Sequence, residues 1–501
     1  MIRALNEIGG HVMDERVMNL NLHNENNAYN ETNLHNENNT YNEQGDYNFQ
    51  KIIGATLIYA IFFTFCIYKN FAGITAPFLA SATVGYAMFC LKEYQINIKK
   101  DSIFYMAAII LLGVSSCITG SGPIIFFNTV GMGFLLLCMM LHNFYNDEKW
   151  NFAKYMGAIF MSIFGVCCEL PTPYKDIKRC DSDRSRSNKA MYVIIGLAAA
   201  FPLLCVIIAL LYSADAVFAQ VIKNCFSEIN FGTIIGCIFT FAFAFFASYC
   251  GVRYLNRKKI KEEVHDHREM EPIIAITALS LILMVYLVFS VIQIVYLFMG
   301  QMQLPDGYTY ARYVHEGFFQ LLVVCMLNVM IVLGVMAIFR KNTVVNILLA
   351  MISFCTYILL ASSALRMCMY IKNYSLTFLR VLVLWSLVVI AVLLAGILIQ
   401  IFKEDFSLFR YGLISVCICY ILLSYAHVDY FIASFNLNYV AENEGSVDYH
   451  YLSQLSSDAA PVIADYEGGW VYEYSRGVQE YEDDGVRKFN LSHYIAVKMF
   501  E

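Results

Sequence analysis

The chain has 501 residues, of which 59% are hydrophobic and only 15% charged, with a formal net charge of −6 at pH 7. Soluble globular proteins are roughly 45–50% apolar and about 25% charged. Several apolar runs of about 20 residues are each long enough to cross a hydrocarbon core about 30 Å thick. These features exclude an ordinary soluble protein and predict an all-α, polytopic integral membrane helix bundle.

The N-terminal segment, residues 1–50, is polar and rich in asparagine. It contains a twelve-residue sequence, NLHNENNAYNET (Asn21–Thr32), that is nearly repeated as NLHNENNTYNEQ (Asn33–Gln44). A segment of this composition buries too little apolar surface to offset its loss of conformational entropy on ordering. We therefore predict a disordered tail. The repeated histidines His23 and His35 could bind a metal, but a duplicated low-complexity tail explains them more simply.

The apolar runs predict a transmembrane domain over residues 51–426. About eleven helices are expected, because each run approaches the length that a span requires. The predicted spans are Ile52–Tyr68, Phe71–Leu91, Ile103–Thr119, Pro123–Leu141, Ala190–Tyr212, Phe231–Val252, Ile273–Met299, Phe318–Phe339, Val344–Leu365, Phe378–Phe402 and Leu408–Ala426.

One apolar segment, Tyr155–Leu170, is short for a span, so that it either crosses the membrane or lies in the interface. If it does not cross, most lysine and arginine residues between spans fall on one side. Because cytoplasmic loops carry the excess of basic residues, this arrangement predicts a cytoplasmic N-terminus and an extracytoplasmic C-terminus. If the segment crosses, the N-terminal half inverts.

The C-terminal region, residues 427–501, follows the last predicted span. It is acidic, rich in aromatic residues and punctuated by Asp, Ser and Asn, which predicts short helices. Its charge disfavours nucleic acid as a partner. We expect a small helical cap on the outer face of the bundle.

The candidate site is a set of polar residues that this topology places at the outer boundary of the membrane. Arg312, Glu316 and Gln320 are four residues apart, so they form one stripe on a helix, with His315 on its flank. The full set is Asp215, Gln293, Arg312, His315, Glu316, Gln320, Arg366, Arg380, Asp429 and Asn436.

Three interpretations of this cluster stay open. It is a structural ion-pair network that fixes helix ends and the cap, a polar site open to the outside for a ligand, or a catalytic arrangement of His315 and Glu316. The third is the weakest, since adjacent helical residues diverge by about 100°. No catalytic residue, metal site or cofactor is predicted, and the 16 cysteines are interpreted as small apolar packing residues.

Several segments resemble a known family. They are GLAAAFPLLCVIIALLYSADAVF, VFSVIQIVYLFMG, YTYARYVHEGFFQLLVVCMLN, SSALRMCMYIKNYSLTFLR, HVDYFIASFNLNY and VDYHYLSQLSSDAAP. In this order they resemble the bacterial multi-pass domain-of-unknown-function family 4173, which is related to family 4153. The resemblance implies a polytopic protein of the bacterial inner membrane with a small C-terminal region and no established activity. Ser375 stands where the family's Tyr-Gly-Leu-Thr segment has glycine.

The sequence therefore predicts an integral membrane protein that is more likely a structural or regulatory component than an enzyme. Its expected partners are the lipid bilayer and a membrane or extracytoplasmic protein. The alternatives are a transporter or lipid-handling protein with a polar cavity open to the outer face, and a polytopic enzyme that acts on a lipid-linked substrate.

Overall fold

The computed structural model describes residues 50–147, 150, 152–176, 204, 207, 210–215, 231–257, 268–295, 310–403, 406–440, 447–479 and 485–501, with the backbone alone given at 231, 310–317 and 373. The duplicated tail and most of the predicted span Ala190–Tyr212 lie outside this part of the chain.

The described chain is helical almost throughout, which confirms the all-α membrane bundle. The long helices are α1 Gln50–Ile67, α2 Thr75–Glu93, α3 Ser102–Ile118, α4 Gly122–Phe144, α5 Phe152–Cys168, α6 Phe231–Arg257, α7 Pro272–Gln293, α8 Tyr310–Ile338, α9 Thr343–Tyr374, α10 Phe378–Phe402 and α11 Leu408–Tyr425. Each predicted span other than Ala190–Tyr212 overlaps one of them.

Shorter helices follow the last long helix. They are α12 Val428–Ser434, α13 Tyr449–Ser453, α14 Ala460–Ile463, α15 Gly469–Gln479 and α16 Leu491–Phe500, with a π-helical segment at Phe435–Val440 and 3₁₀ turns at Ser457–Ala459 and Val486–Lys488. Their side chains share a small core of their own, which includes Leu452, Ile463 and Tyr474. We call residues 428–501, as far as they are described, the cap.

Eight of the described helices are long and apolar enough to cross a membrane: α1, α4 and α6 to α11. Helix α2 has 19 residues and α3 has 17, and neither belongs to that set. Both nevertheless run between the same two faces of the bundle as the others.

The two faces are identified by the contacts between helix ends. On one, which we call the basic face, the ends of six helices are joined by ion pairs. These are Lys51–Glu93 at 3.5 Å, Asp101–Arg410 at 3.0 Å and Glu271–Arg340 at 3.0 Å. The opposite face, which we call the cap face, contacts the cap. Helices α1 to α4 alternate in direction between these faces, and so do helices α6 to α11.

Helix α5 does not follow this alternation, because both of its ends contact the basic face. Near its start, the ring of Tyr155 stacks on that of Phe409 at the beginning of α11, with ring centroids 3.8 Å apart. Directly after its end, the Glu169 carboxylate lies 3.2 Å from Arg257 at the end of α6. Of the two alternatives for this segment, the structure therefore selects the helix that lies across the face.

The bundle is packed in two groups of helices with polar contacts inside each. In the first, α3, α4 and α11 meet at Ser115, Asn128 and Ser424, where the two serine hydroxyls are 2.5 Å apart. In the second, Asn328 of α8 joins Tyr286 of α7 and Thr356 of α9. Side-chain hydrogen bonds of this kind hold helices together where lipid surrounds them.

The outer surface of the bundle is apolar along the middle of several helices. Large side chains there are exposed, including 73% of Phe239 on α6, 67% of Leu281 on α7 and 65% of Phe354 on α9. Contiguous apolar surface of this kind is rare on soluble monomers. A lipid environment accounts for it, because lipid tails solvate such side chains.

Candidate functional site at the cap face

Gln293 and Arg366 come together at the cap-face ends of α7 and α9. The Gln293 Oε1 atom accepts hydrogen bonds from the hydroxyl of Ser362 at 2.7 Å and from Nη2 of Arg366 at 3.4 Å. All three residues are buried. The sequence predicted this polar layer, and its described contacts join two helices.

Arg380 lies at the turn between α9 and α10. Its Nη1 atom donates to the carbonyl oxygen of Tyr374 at 2.5 Å and to that of Ser375, and its guanidinium lies 4.4 Å from the ring centroid of Tyr370. A cation beside the last carbonyls of a helix satisfies acceptors that lack intrahelical partners and opposes the negative end of the helix dipole. Arg380 therefore caps the C-terminal end of α9.

Asn436 connects the cap to the same turn. Its Oδ1 accepts from the backbone nitrogen of Leu376 at 2.6 Å, and its Nδ2 donates to the backbone oxygen of Leu376 at 2.9 Å. The side-chain amide thus pairs with both polar groups of one residue. Close by, the backbone nitrogen of Phe378 donates to the Tyr451 hydroxyl at 2.9 Å.

Asp429, on α12, is a buried residue of the cap. The backbone nitrogen of Ser456 lies 3.4 Å from its Oδ2. Burial raises the pKa of Asp429 above its ordinary value, since removal from water disfavours the charged carboxylate.

The remaining predicted residues are Asp215, Gln320 and three residues of α8. Asp215 and Gln320 are exposed. The backbones of Arg312, His315 and Glu316 belong to α8, but their side chains lie outside the described part of the chain. The stripe on α8 therefore stays a prediction.

The most densely bonded polar group at the cap face is Asp458, which the candidate cluster did not include. Its Oδ2 accepts from the Thr119 hydroxyl at 2.5 Å, and its Oδ1 accepts from the backbone nitrogen of Gly120 at 2.7 Å. The Nδ1 atom of His427 lies 3.4 Å from Oδ2. The only signal in the sequence was its position in the motif VDYHYLSQLSSDAAP, since its partners are distant along the chain.

The cap approaches the α3–α4 turn closely at Gly120, where an added Cβ would overlap the hydroxyl of Ser457. Next to it, Asn490 donates to the backbone oxygen of Thr119 at 2.8 Å. The α1–α2 turn is held similarly, since Asn70 donates to the backbone oxygen of Arg487 at 3.1 Å. The cap is therefore bonded to three interhelical turns.

Asp458 and His427 each stabilise the charged form of the other. Burial alone would raise the pKa of Asp458, but hydrogen bonds from His427, Ser492, Thr119 and Gly120 hold it below its ordinary value. The hydrogen bond to Asp458 raises the pKa of His427 above 6.5, although partial burial opposes that change. The pair thus favours a carboxylate and an imidazolium.

A cavity of about 470 Å³ lies beside this pair, between the cap and the ends of α3 and α11. Its walls combine hydroxyl and imidazole groups with apolar side chains. The lining residues are Ile118, Ala426, His427, Tyr430, Phe431, Ser457, Asp458, Pro461, Leu491, Ser492 and Ile495. Among the described residues, no group of three or more His, Cys, Asp or Glu side chains could hold a metal ion.

Comparison with known families gives one match. The family model Domain of unknown function (DUF4153) matches residues 106–466, which is more than half of the chain. No curated protein and no solved structure matches this chain. The motifs predicted family 4173, and the match is to the related family 4153. Membership of family 4173 itself stays a prediction.

Proposed function

We propose a function for this chain, which belongs to the DUF4153 family. The chain is a structural or regulatory component of a bacterial inner membrane, and its cap face engages a partner or a ligand. It is an integral membrane protein with several helices capable of crossing the bilayer. In the proposed orientation the basic face is cytoplasmic and the cap is extracytoplasmic, in keeping with the excess of basic residues in cytoplasmic loops.

The observation that carries the proposal is the fixed position of the cap. Asn70, Thr119 with Gly120, and Leu376 belong to three different interhelical turns, and each turn is hydrogen-bonded to the cap. Buried or half-buried bonds of this kind order a surface, because leaving one partner unsatisfied is costly. A cap ordered in this way presents one constant surface to a partner or ligand.

A lipid-handling role is the second candidate. The cavity beside His427 favours it, because the cavity lies at the end of membrane-crossing helices and has both polar and apolar walls. The alternative of a polytopic membrane enzyme stays a prediction.

The experiment that tests the proposal is native mass spectrometry of the gently solubilised full chain beside an Asn436→Leu variant. That substitution removes both hydrogen bonds to Leu376 and loosens the cap. We expect the wild-type chain to retain a stoichiometric protein or small-molecule adduct that the variant loses.

Asn346→Leu is the matched control. Asn346 donates to the backbone oxygen of Ile401 at 3.1 Å, so the control removes an asparagine–backbone bond between helix ends on the opposite face. It should keep the adduct. A bare monomer in all three samples, or loss of the adduct in both variants, would contradict an engagement site at the cap face.

A further inference from the structure

The cavity between the cap and the helix ends has one polar wall, which is formed by His427, Asp458 and two serine hydroxyls. Asp458 lines it, but both carboxylate oxygens already accept bonds from Thr119, Gly120 and His427. The imidazole Nδ1 of His427 faces that carboxylate, and no described residue hydrogen-bonds its Nε2. The donor left for a ligand on these two residues is therefore the imidazole Nε2.

The two hydroxyls belong to Ser457 and Ser492. Their Oγ atoms are 3.0 Å apart, and both residues line the cavity with His427. Hydroxyls can donate or accept, whereas an imidazolium only donates. Since Ser492 also bonds Asp458, the hydroxyls reach a ligand by exchanging these bonds, and the imidazolium is the group that favours a head group with negative charge.

The other wall of the cavity is apolar. Ile118, at the end of α3, faces the cavity together with Phe431 of α12 and Ile495 of α16. Phe431 is 58% exposed and Ile495 is 39% exposed. Because Ile118 is the last residue of a bundle helix, we infer that this wall lies near the depth where a lipid changes from head group to acyl chain.

We propose that this cavity binds an anionic amphiphile, with a phosphate-type head group against His427, Ser457 and Ser492 and an alkyl chain along Ile118, Phe431 and Ile495. The proposal rests on the proposed function, since it names the ligand class of the cap face. An imidazolium held by a buried carboxylate offers a charge-assisted hydrogen bond to such a head group, which is stronger than a neutral one. The alkyl chain adds the burial of apolar surface.

The test uses the purified full chain in phosphatidylcholine nanodiscs, with dodecyl phosphate as the probe. We expect saturable binding of one molecule per chain, measured by native mass spectrometry and calorimetry. His427→Asn should weaken binding about tenfold, because a charged donor is lost. Asparagine is chosen since His427 has φ of 47°, in the left-handed region that asparagine tolerates.

Ile495→Trp provides a second variant, because it fills the apolar wall and leaves the polar groups in place. It should weaken binding at least tenfold. Met499→Trp is its matched control, since Met499 is an exposed residue of the same helix that does not line the cavity. The control should bind like the wild-type chain, and all the variants should unfold at similar temperatures.

Two results would overturn the proposal. Equal binding by wild type, His427→Asn and Ile495→Trp would show that the probe merely partitions into the bilayer. If inorganic phosphate bound as strongly as dodecyl phosphate, the polar groups would bind a soluble anion. The alkyl chain would then contribute nothing, and an amphiphile would be excluded as the ligand class. In either case a protein adduct lost in Asn436→Leu would leave the proposed function standing, so the two failures are distinguishable.

Discussion

Ser375 connects α9 to α10 in a backbone conformation that is unfavourable for an L-residue. Its φ is 70° and its ψ is 164°, a region occupied almost only by glycine, and each such residue costs about 1–3 kcal/mol. The resemblance to family 4173 implied glycine at this position. The strained conformation gives the physical reason for that expectation.

We therefore expect Ser375→Gly to increase the free energy of unfolding by about 1 kcal/mol. The relief of strain exceeds the entropy that glycine gains in the unfolded chain, which is about 0.5–1 kcal/mol. Denaturant unfolding of the chain in mild detergent measures the change.

Ser407→Gly is the control for this substitution. Ser407 precedes α11 with φ of −77°, which any residue adopts without strain. Glycine there should lower the free energy of unfolding slightly, by up to about 1 kcal/mol. If Ser375→Gly lowered it as much as Ser407→Gly, the strain at Ser375 would be refuted.

Among the helices, α5 is distinguished by its position across the basic face. One side of it is buried against the bundle through Tyr155, Ile159 and Gly165, where the ring of Tyr254 leaves no room for a Cβ. Its opposite side is apolar and exposed, including 69% of Phe164. We expect a helix of this kind to lie in the plane of the membrane, with its apolar side in the boundary between head groups and acyl chains.

This position predicts that a charge on α5 is tolerated better than a charge in a span. Phe164→Lys should cost about 1 kcal/mol or less, because lysine reaches the head groups from the interface. Phe243→Lys is the comparison, since Phe243 is an exposed residue near the middle of α6. It should cost about 2.5–3.5 kcal/mol.

The yield and thermal stability of the two variants in the same membrane measure this difference. Equal losses would place α5 at the same depth as the middle of α6. A larger loss for Phe164→Lys would argue that its exposed side is covered by protein rather than by lipid.

For the whole molecule, the outstanding prediction concerns orientation. The proposed function places the cap outside the cell, so that Tyr472→Cys should react with a membrane-impermeant maleimide on intact cells. Tyr472 is suitable because it lies on α15 of the cap and is 71% exposed. The substitution is made in a chain in which serine replaces Cys167, Cys168 and Cys368, which are exposed among the described residues, and Cys180, Cys205 and Cys225, which lie outside them.

The control places a cysteine on the opposite face, at Lys403 after the end of α10. It should react only after the membrane is opened. Labelling of Lys403→Cys on intact cells, with protection of Tyr472→Cys, would reverse the orientation and exclude an extracytoplasmic cap.

The sequence by itself determined the class of the protein and the approximate position of the described spans. Apolar runs suffice for this, because a segment of about 20 apolar residues in lipid has to satisfy its backbone internally as a helix. The contribution of Gln293 to a polar layer at the helix ends was also predictable, since a polar side chain near the end of an apolar span requires a partner.

Only the tertiary structure decided how α5 lies and which polar group anchors the cap. The length and composition of α5 suit either a span or an interfacial helix, and its contacts with Phe409 and Arg257 distinguish the two. Asp458 is 339 residues from Thr119 along the chain. Periodicity reports which residues share a helix face, whereas a bond between distant turns depends on the packing of the whole bundle.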